Sequence, residues 1–94
     1  VPLLPGVTAL AAAGMVTGAS ARNWAGYGAD VVLAPDVGEV ERALLTDPQT
    51  SGGLLVACAP DCVPAVLEAF RRDGFDAACE IGALALGEPR VEVV

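Results

Sequence analysis

Histidine and lysine are both missing from this 94-residue sequence, and their absence removes most of the usual catalytic agents at once. Without an imidazole there is no Ser-His-Asp or Cys-His arrangement. Without an ammonium there is no Schiff-base nucleophile, and no GxxxxGK loop whose lysine reaches a terminal phosphate. A free-standing phosphotransferase is not expected. Cysteine is sparse and odd in number, with Cys58, Cys62 and Cys79 and no CxxC spacing. That pattern argues against a disulfide framework or a zinc site and for reduced thiols in the cytoplasm, each packed as a small buried hydrophobe. None of the twelve Asp and Glu residues falls in a calcium-loop spacing, so no metal ligand is assigned.

Positive charge is also scarce. Five arginines against twelve acidic residues give a net charge of -7, which opposes broad attraction to nucleic acid or an anionic membrane. Residues 1–21 carry no charge at all, yet Pro2, Pro5, Gly6, Gly14 and Gly18 break the run too often for a spanning helix. No basic segment precedes it, so a secretory signal is not supported. The chain opens on Val1 in "VPLLPGV" and reads as a fragment of a longer protein. What is abundant is apolar residue, at 54%, with only 18% charged. Such a chain folds, and its limited charge predicts apolar surface that meets a partner, including a missing part of the same protein.

Periodicity predicts the elements. "GVTALAAAG" reads as a short helix with Val7, Leu10 and Ala11 on one face, stopped by Gly14. A second helix is expected over Ala19–Tyr27, begun by a small polar cap and ended by Gly28, with Trp24 and Tyr27 forming a packed aromatic edge. Val31, Val32 and Leu33 predict a brief strand. Val37, Val40, Ala43 and Leu44 then share a helical face opposite Glu39, Glu41 and Arg42, and Pro48 bars continuation past Asp47. Leu54–Ala59 is apolar on both parities and predicts a central strand covered on both faces. Asp61 caps a helix whose stripe is Val63, Val66, Leu67 and Phe70, ended by Arg71, Arg72 and Gly74. "AACEIGALAL" predicts a further strand, and "RVEVV" a last one with Val91 and Val93 on one face and Arg90 and Glu92 on the other. This order implies an α/β or α+β sandwich.

Two stretches carry candidate chemistry. In "DPQTSGG", Gly52 and Gly53 let backbone N–H groups approach an anion while Thr50 and Ser51 add hydroxyl donors. The glycines precede a predicted strand rather than a helix, so no helix N-terminus would face the ligand. The residues alone leave two readings open: an anion nest flanked by Asp47 and Gln49, or a proline turn in which Gly-Gly eases backbone packing. In "RNWAGYG", Arg22 is a candidate anion partner and Asn23 a candidate ligand or backbone contact.

At "LLTDPQTSGGLLVA" the sequence resembles the C-terminal region of the selenophosphate synthetase (selenide, water dikinase) family. "LPGVTALAAAGMVTGASARNWAGYG" and "FRRDGFDAACEIGAL" resemble two further stretches of it, so the resemblance covers nearly the whole chain. It implies a partial C-terminal domain over residues 1–94, truncated at its N-terminal end. The implied fold is that of the aminoimidazole ribonucleotide synthetase C-terminal domain, a mixed sheet with helices packed on it. The family uses ATP, magnesium and selenide to make selenophosphate, releasing AMP and orthophosphate. Its nucleotide and metal sites, reactive Cys or selenocysteine and partner Lys belong mainly to an N-terminal half outside this chain. The resemblance therefore assigns no catalytic residue and no metal ligand here, and Cys58, Cys62 and Cys79 do not match the reactive position. It places Thr50, Ser51, Gly52 and Gly53, with Asp47 and Gln49, facing an inter-domain cleft. It implies a wall of the active site that is inactive alone and binds neither ATP nor magnesium tightly. The partners implied are the protein's own N-terminal domain and a second copy in a full-length homodimer. An isolated segment is expected to self-associate, and neither nucleic acid nor membrane is a partner. The alternative is a non-catalytic α/β binding or assembly module.

Overall fold

Two glycines fix where two of the helices stop. In the computed structural model, which describes residues 1–94, Gly14 and Gly74 have φ of +86° and +88°, a left-handed conformation that side chains with a Cβ rarely adopt. Each closes a Schellman motif. Gly14 N–H bonds to Ala11 O at 2.9 Å and Met15 N–H to Leu10 O at 3.0 Å. Gly74 N–H bonds to Arg71 O and Phe75 N–H to Phe70 O, both at 2.9 Å. The Phe70 and Phe75 rings meet edge-on with centroids 6.3 Å apart, the apolar contact that accompanies this motif.

The chain divides into two units. The first comprises Leu3–Ser51 with Leu86–Val94. It contains α1 (Val7–Ala12), α2 (Gly18–Tyr27), a 3₁₀ turn (Gly28–Asp30), β1 (Val31–Leu33) and α3 (Glu39–Leu45). The label α4 is kept for Val63–Arg72 of the second unit, and β2 (Val91–Val93) returns to the first. β2 lies parallel to β1, with Val31 opposite Val91, Val32 opposite Glu92 and Leu33 opposite Val93. Ala34 N–H extends the ladder to Val93 O at 2.8 Å. Arg90 Nε donates to Glu92 Oε1 at 2.6 Å, so the two polar residues share one face as the alternation predicts.

α3 packs on both α1 and α2. Val37, Val40, Ala43 and Leu44 are half-buried, whereas Glu39 and Glu41 are exposed, as the helical period predicts. The Glu41 carboxylate accepts the Gly38 N–H at 3.1 Å, one half of a capping box. Arg42 departs from the solvated face: its guanidinium lies over the Trp24 ring, 5.3 Å from the centroid, and is half-buried there. Tyr27 remains 44% exposed, so the aromatic edge reduces to Trp24 with Arg42. Ala11 is the one buried hydrophobic residue, which makes the packing in this unit thin.

The second unit comprises Gly52–Ala85 with Val1–Pro2. A 3₁₀ turn over Pro60–Cys62 leads into α4. The predicted stripe Val63, Val66, Leu67 and Phe70 is the half-buried side of α4. Asp61 is not its cap: it lies within the 3₁₀ turn, and Cys62 takes the cap position without a side-chain bond.

Three further expectations are corrected. Leu54–Ala59 forms no strand, and Leu54 and Leu55 are each 82% exposed. "AACEIGALAL" forms none either, and Leu84 is 92% exposed. A strand exists only with a neighbour to complete its ladder, and the sheet holds β1 and β2 alone. The helices and parallel pair are compatible with an α/β fold, but the larger mixed sheet is not formed. The cysteines follow from this: Cys58, Cys62 and Cys79 are free and exposed, because the runs expected to bury Cys58 and Cys79 have no covering layer.

Candidate functional site

Side-chain hydrogen bonds in the first unit converge on Asp47. Thr17, at the N-cap of α2, accepts the Ser20 N–H at 3.2 Å, satisfying one of the free amides of that helix end. The Thr17 hydroxyl donates to Asp47 Oδ1 at 3.0 Å across thirty residues of sequence, and the Ser20 hydroxyl approaches the same oxygen at 3.5 Å. Gln49 Nε2 donates to Asp47 Oδ2 at 3.0 Å. Asp47 thus places a negative charge at the positive end of the α2 dipole while both of its oxygens accept hydrogen bonds.

The same region is tied a second time. Asn23 Nδ2 donates to Thr46 O at 2.8 Å, and the Thr46 hydroxyl returns to Arg42 O at 2.9 Å, so carbonyls at the end of α3 gain partners. Ser20 is 4% exposed and Thr46 6%, and every buried side-chain polar atom is paired. Asp47 N–H also bonds to Leu44 O at 3.3 Å before Pro48 turns the chain away.

Two open clefts flank this network. One of about 200 Å³ is lined by Val7, Leu10, Met15 and Leu44, with Thr17 and Asp47 as its polar members. The other, about 440 Å³, runs along α2 and α3 past Trp24, Arg42, Ser20 and Thr46. Val16, Thr17 and Ala43 border both.

The sequence candidates are distributed unevenly over this geometry. Asp47 and Gln49 bond to one another, and Asn23 bonds to the residue preceding Asp47. Arg22 is exposed and takes part in none of the three ion pairs. Thr50 and Ser51 are exposed in the turn that ends the first unit, and no side-chain hydrogen bond involves them. Gly52 and Gly53 are exposed at the start of the second unit. Gly53 has no positive φ, and a Cβ built on it meets nothing within 4 Å. No backbone strain or close packing in this chain calls for glycine there.

Thr17, Ser20 and Thr46 were not singled out from sequence. The spacing of Thr17 and Ser20 as N-cap and third helical residue was a usable signal for the cap, but nothing local marks their partnership with Asp47. No group of three or more His, Cys, Asp or Glu side chains converges on a metal-sized site.

Comparison with known proteins adds what geometry does not. The chain is 61% identical over 92 residues to the selenide, water dikinase of Burkholderia ambifaria (strain MC40-6), covering 98% of the chain and 26% of that relative. It is 58% identical over 93 residues to the selenide, water dikinase of Paraburkholderia xenovorans (strain LB400), with 99% and 26% covered. The selenide, water dikinase of Rhizobium meliloti (strain 1021) is 50% identical over 94 residues, with 100% and 27% covered. The chain therefore spans about a quarter of the length of the curated relatives it matches. No family model matches it, and no solved structure does.

Proposed function

Because this chain is homologous over nearly all its length to a quarter-length segment of selenide, water dikinases, we propose that it is the C-terminal part of such an enzyme. In this reading the full-length protein converts ATP, selenide and water to selenophosphate, AMP and phosphate. The segment contributes one wall of the cleft in which this occurs and is inactive alone. The observation that carries the reading is identity of 50–61% sustained across 98–100% of the chain. The fold proposed for the assembled domain is that of the aminoimidazole ribonucleotide synthetase C-terminal domain, with Leu54–Ala59 and the run through Leu86 becoming strands once the rest of the protein supplies their neighbours.

Within the wall, Thr50, Ser51, Gly52 and Gly53 are the residues proposed to meet the reacting phosphates. Supporting this are two free hydroxyls and a glycine whose missing side chain leaves open space beside the backbone. Arg22, exposed and without an ion-pair partner, is a secondary anion contact. In the same reading magnesium is held mainly by the part of the enzyme outside this chain.

The test is selenide-dependent AMP formation by the full-length protein carrying Gly52→Val and Gly53→Val. Loss of activity in a folded protein supports the cleft-wall reading. Activity equal to wild type would favour a binding or assembly module.

A further inference from the structure

Asp47 is the one charged residue of the DPQTSGG stretch, and its carboxylate is already committed to hydrogen bonds. Oδ1 receives the Thr17 hydroxyl at 3.0 Å, with the Ser20 hydroxyl at 3.5 Å, and Oδ2 receives the Gln49 amide at 3.0 Å. The peptide that joins Thr46 to Asp47 is held as well, its N–H bonding to Leu44 O and its carbonyl accepting from Asn23 Nδ2. Gln49 folds back over Pro48, whose ring fixes φ, so residues 47–49 form a closed bracket. The direction in which the chain leaves Gln49 toward Thr50 and Ser51 is set by that bracket.

We propose that Asp47 is a positioning residue: it clasps the N-terminus of α2 and thereby aims the Thr50–Ser51 turn, and it is not itself a ligand of phosphate or metal. The proposal rests on the cleft-wall reading for what the turn does, but the clasp is a separate physical claim. Its chemistry separates it from metal or cation binding. An asparagine at 47 keeps an oxygen for the Thr17 and Ser20 hydroxyls. Its Nδ2 donates to Gln49 once that amide turns over to present Oε1. A clasp therefore survives loss of the charge, whereas a cation ligand does not.

The experiment uses the full-length protein with Asp47→Ala, Asp47→Asn, Thr17→Val and the Thr17→Val/Asp47→Ala double variant. Steady-state kinetics are read together with backbone 15N order parameters at Thr50 and Ser51. The clasp predicts that Asp47→Ala lowers kcat by about 10²-fold, the cost of a roughly 1 Å misplacement, while Asp47→Asn stays within about threefold of wild type. Order parameters at Thr50 and Ser51 fall in Asp47→Ala and in Thr17→Val, and not in Asp47→Asn. In kcat the double variant is no worse than Asp47→Ala, because both changes release the same turn, while its stability is lower because Thr17→Val also removes the acceptor of the Ser20 N–H. Asparagine as inactive as alanine would overturn the proposal by showing that the charge itself is required. Unchanged order parameters at Thr50 and Ser51 in Asp47→Ala would overturn it independently of activity. Should Asp47→Ala fail to fold, the contrast between Thr17→Val and Asp47→Asn carries the same decision. Failure of the cleft-wall reading shows separately, as full activity in Gly52→Val/Gly53→Val with the order-parameter result intact.

Discussion

Gly53 separates what the chain needs for folding from what it needs for function. Its backbone does not adopt a positive φ, and a methyl group at its Cβ position meets no atom within 4 Å. Alanine there removes backbone freedom from the unfolded chain and meets no clash in the folded one, which stabilises by about 0.4–1 kcal/mol. For a chain of 94 residues, at roughly 4–8 °C per kcal/mol, Gly53→Ala should raise Tm by about 2–8 °C. If the glycine is there so that a phosphate can approach the backbone, the same methyl displaces the ligand. A shift of about 1 Å at the reacting groups costs on the order of 10²-fold in rate. The assay pairs thermal unfolding of the 94-residue chain with selenide-dependent AMP release by the full-length variant. A more stable chain and a slower enzyme are expected. A lower Tm would refute the open geometry at Gly53, and an unchanged rate would refute its role in admitting the ligand.

Other outcomes test the fold and the exposed surface. Gly74→Ala forces a Cβ into φ of +88° and should cost about 1–2 kcal/mol, read as a lower midpoint in urea with an unchanged slope. Asn23→Ala leaves the carbonyl of buried Thr46 without its side-chain donor and should cost about 0.5–1.5 kcal/mol by the same measurement. With Leu54 and Leu55 each 82% exposed and no strand beside them, the isolated chain is expected to self-associate. Sedimentation should show it growing with concentration and weakening in Leu55→Lys, and a strictly monomeric profile at high concentration would contradict it.

Local physics was legible in the sequence wherever one residue or one period decides the outcome. Gly14 and Gly74 stop helices because the left-handed conformation is nearly theirs alone, and the α3 and α4 stripes follow from 3.6-residue spacing. β1 appeared at Val31–Leu33 as read, because a β-favouring apolar run led by two valines lies between Asp30 and Pro35. Asp61 failed as a cap because Pro60 begins a 3₁₀ turn that carries it out of position. Leu54–Ala59 failed as a strand for a different reason. Apolar character on both parities describes what a segment needs around it, and a ladder requires a neighbour that the pattern cannot supply.

The candidate site divides in the same way. Asp47 and Gln49 were legible as neighbours of the glycine pair, and Asn23 as a residue able to bond backbone. The Thr17–Asp47 bond was not, because a side-chain contact across thirty residues leaves no trace in spacing. Its discovery changes the reading of Asp47 from a free carboxylate beside a candidate anion site to one that accepts at both oxygens. The exposed leucines and cysteines of the second unit leave apolar surface open to solvent in this chain.

The central claim is that this segment belongs to an enzyme making selenophosphate. Phosphorus NMR of the full-length protein with ATP, magnesium and selenide tests it most directly. Selenophosphate, AMP and orthophosphate should appear together, and only when selenide is present. ATP left intact, or consumed to AMP and orthophosphate with no selenophosphate whether or not selenide is present, would contradict it.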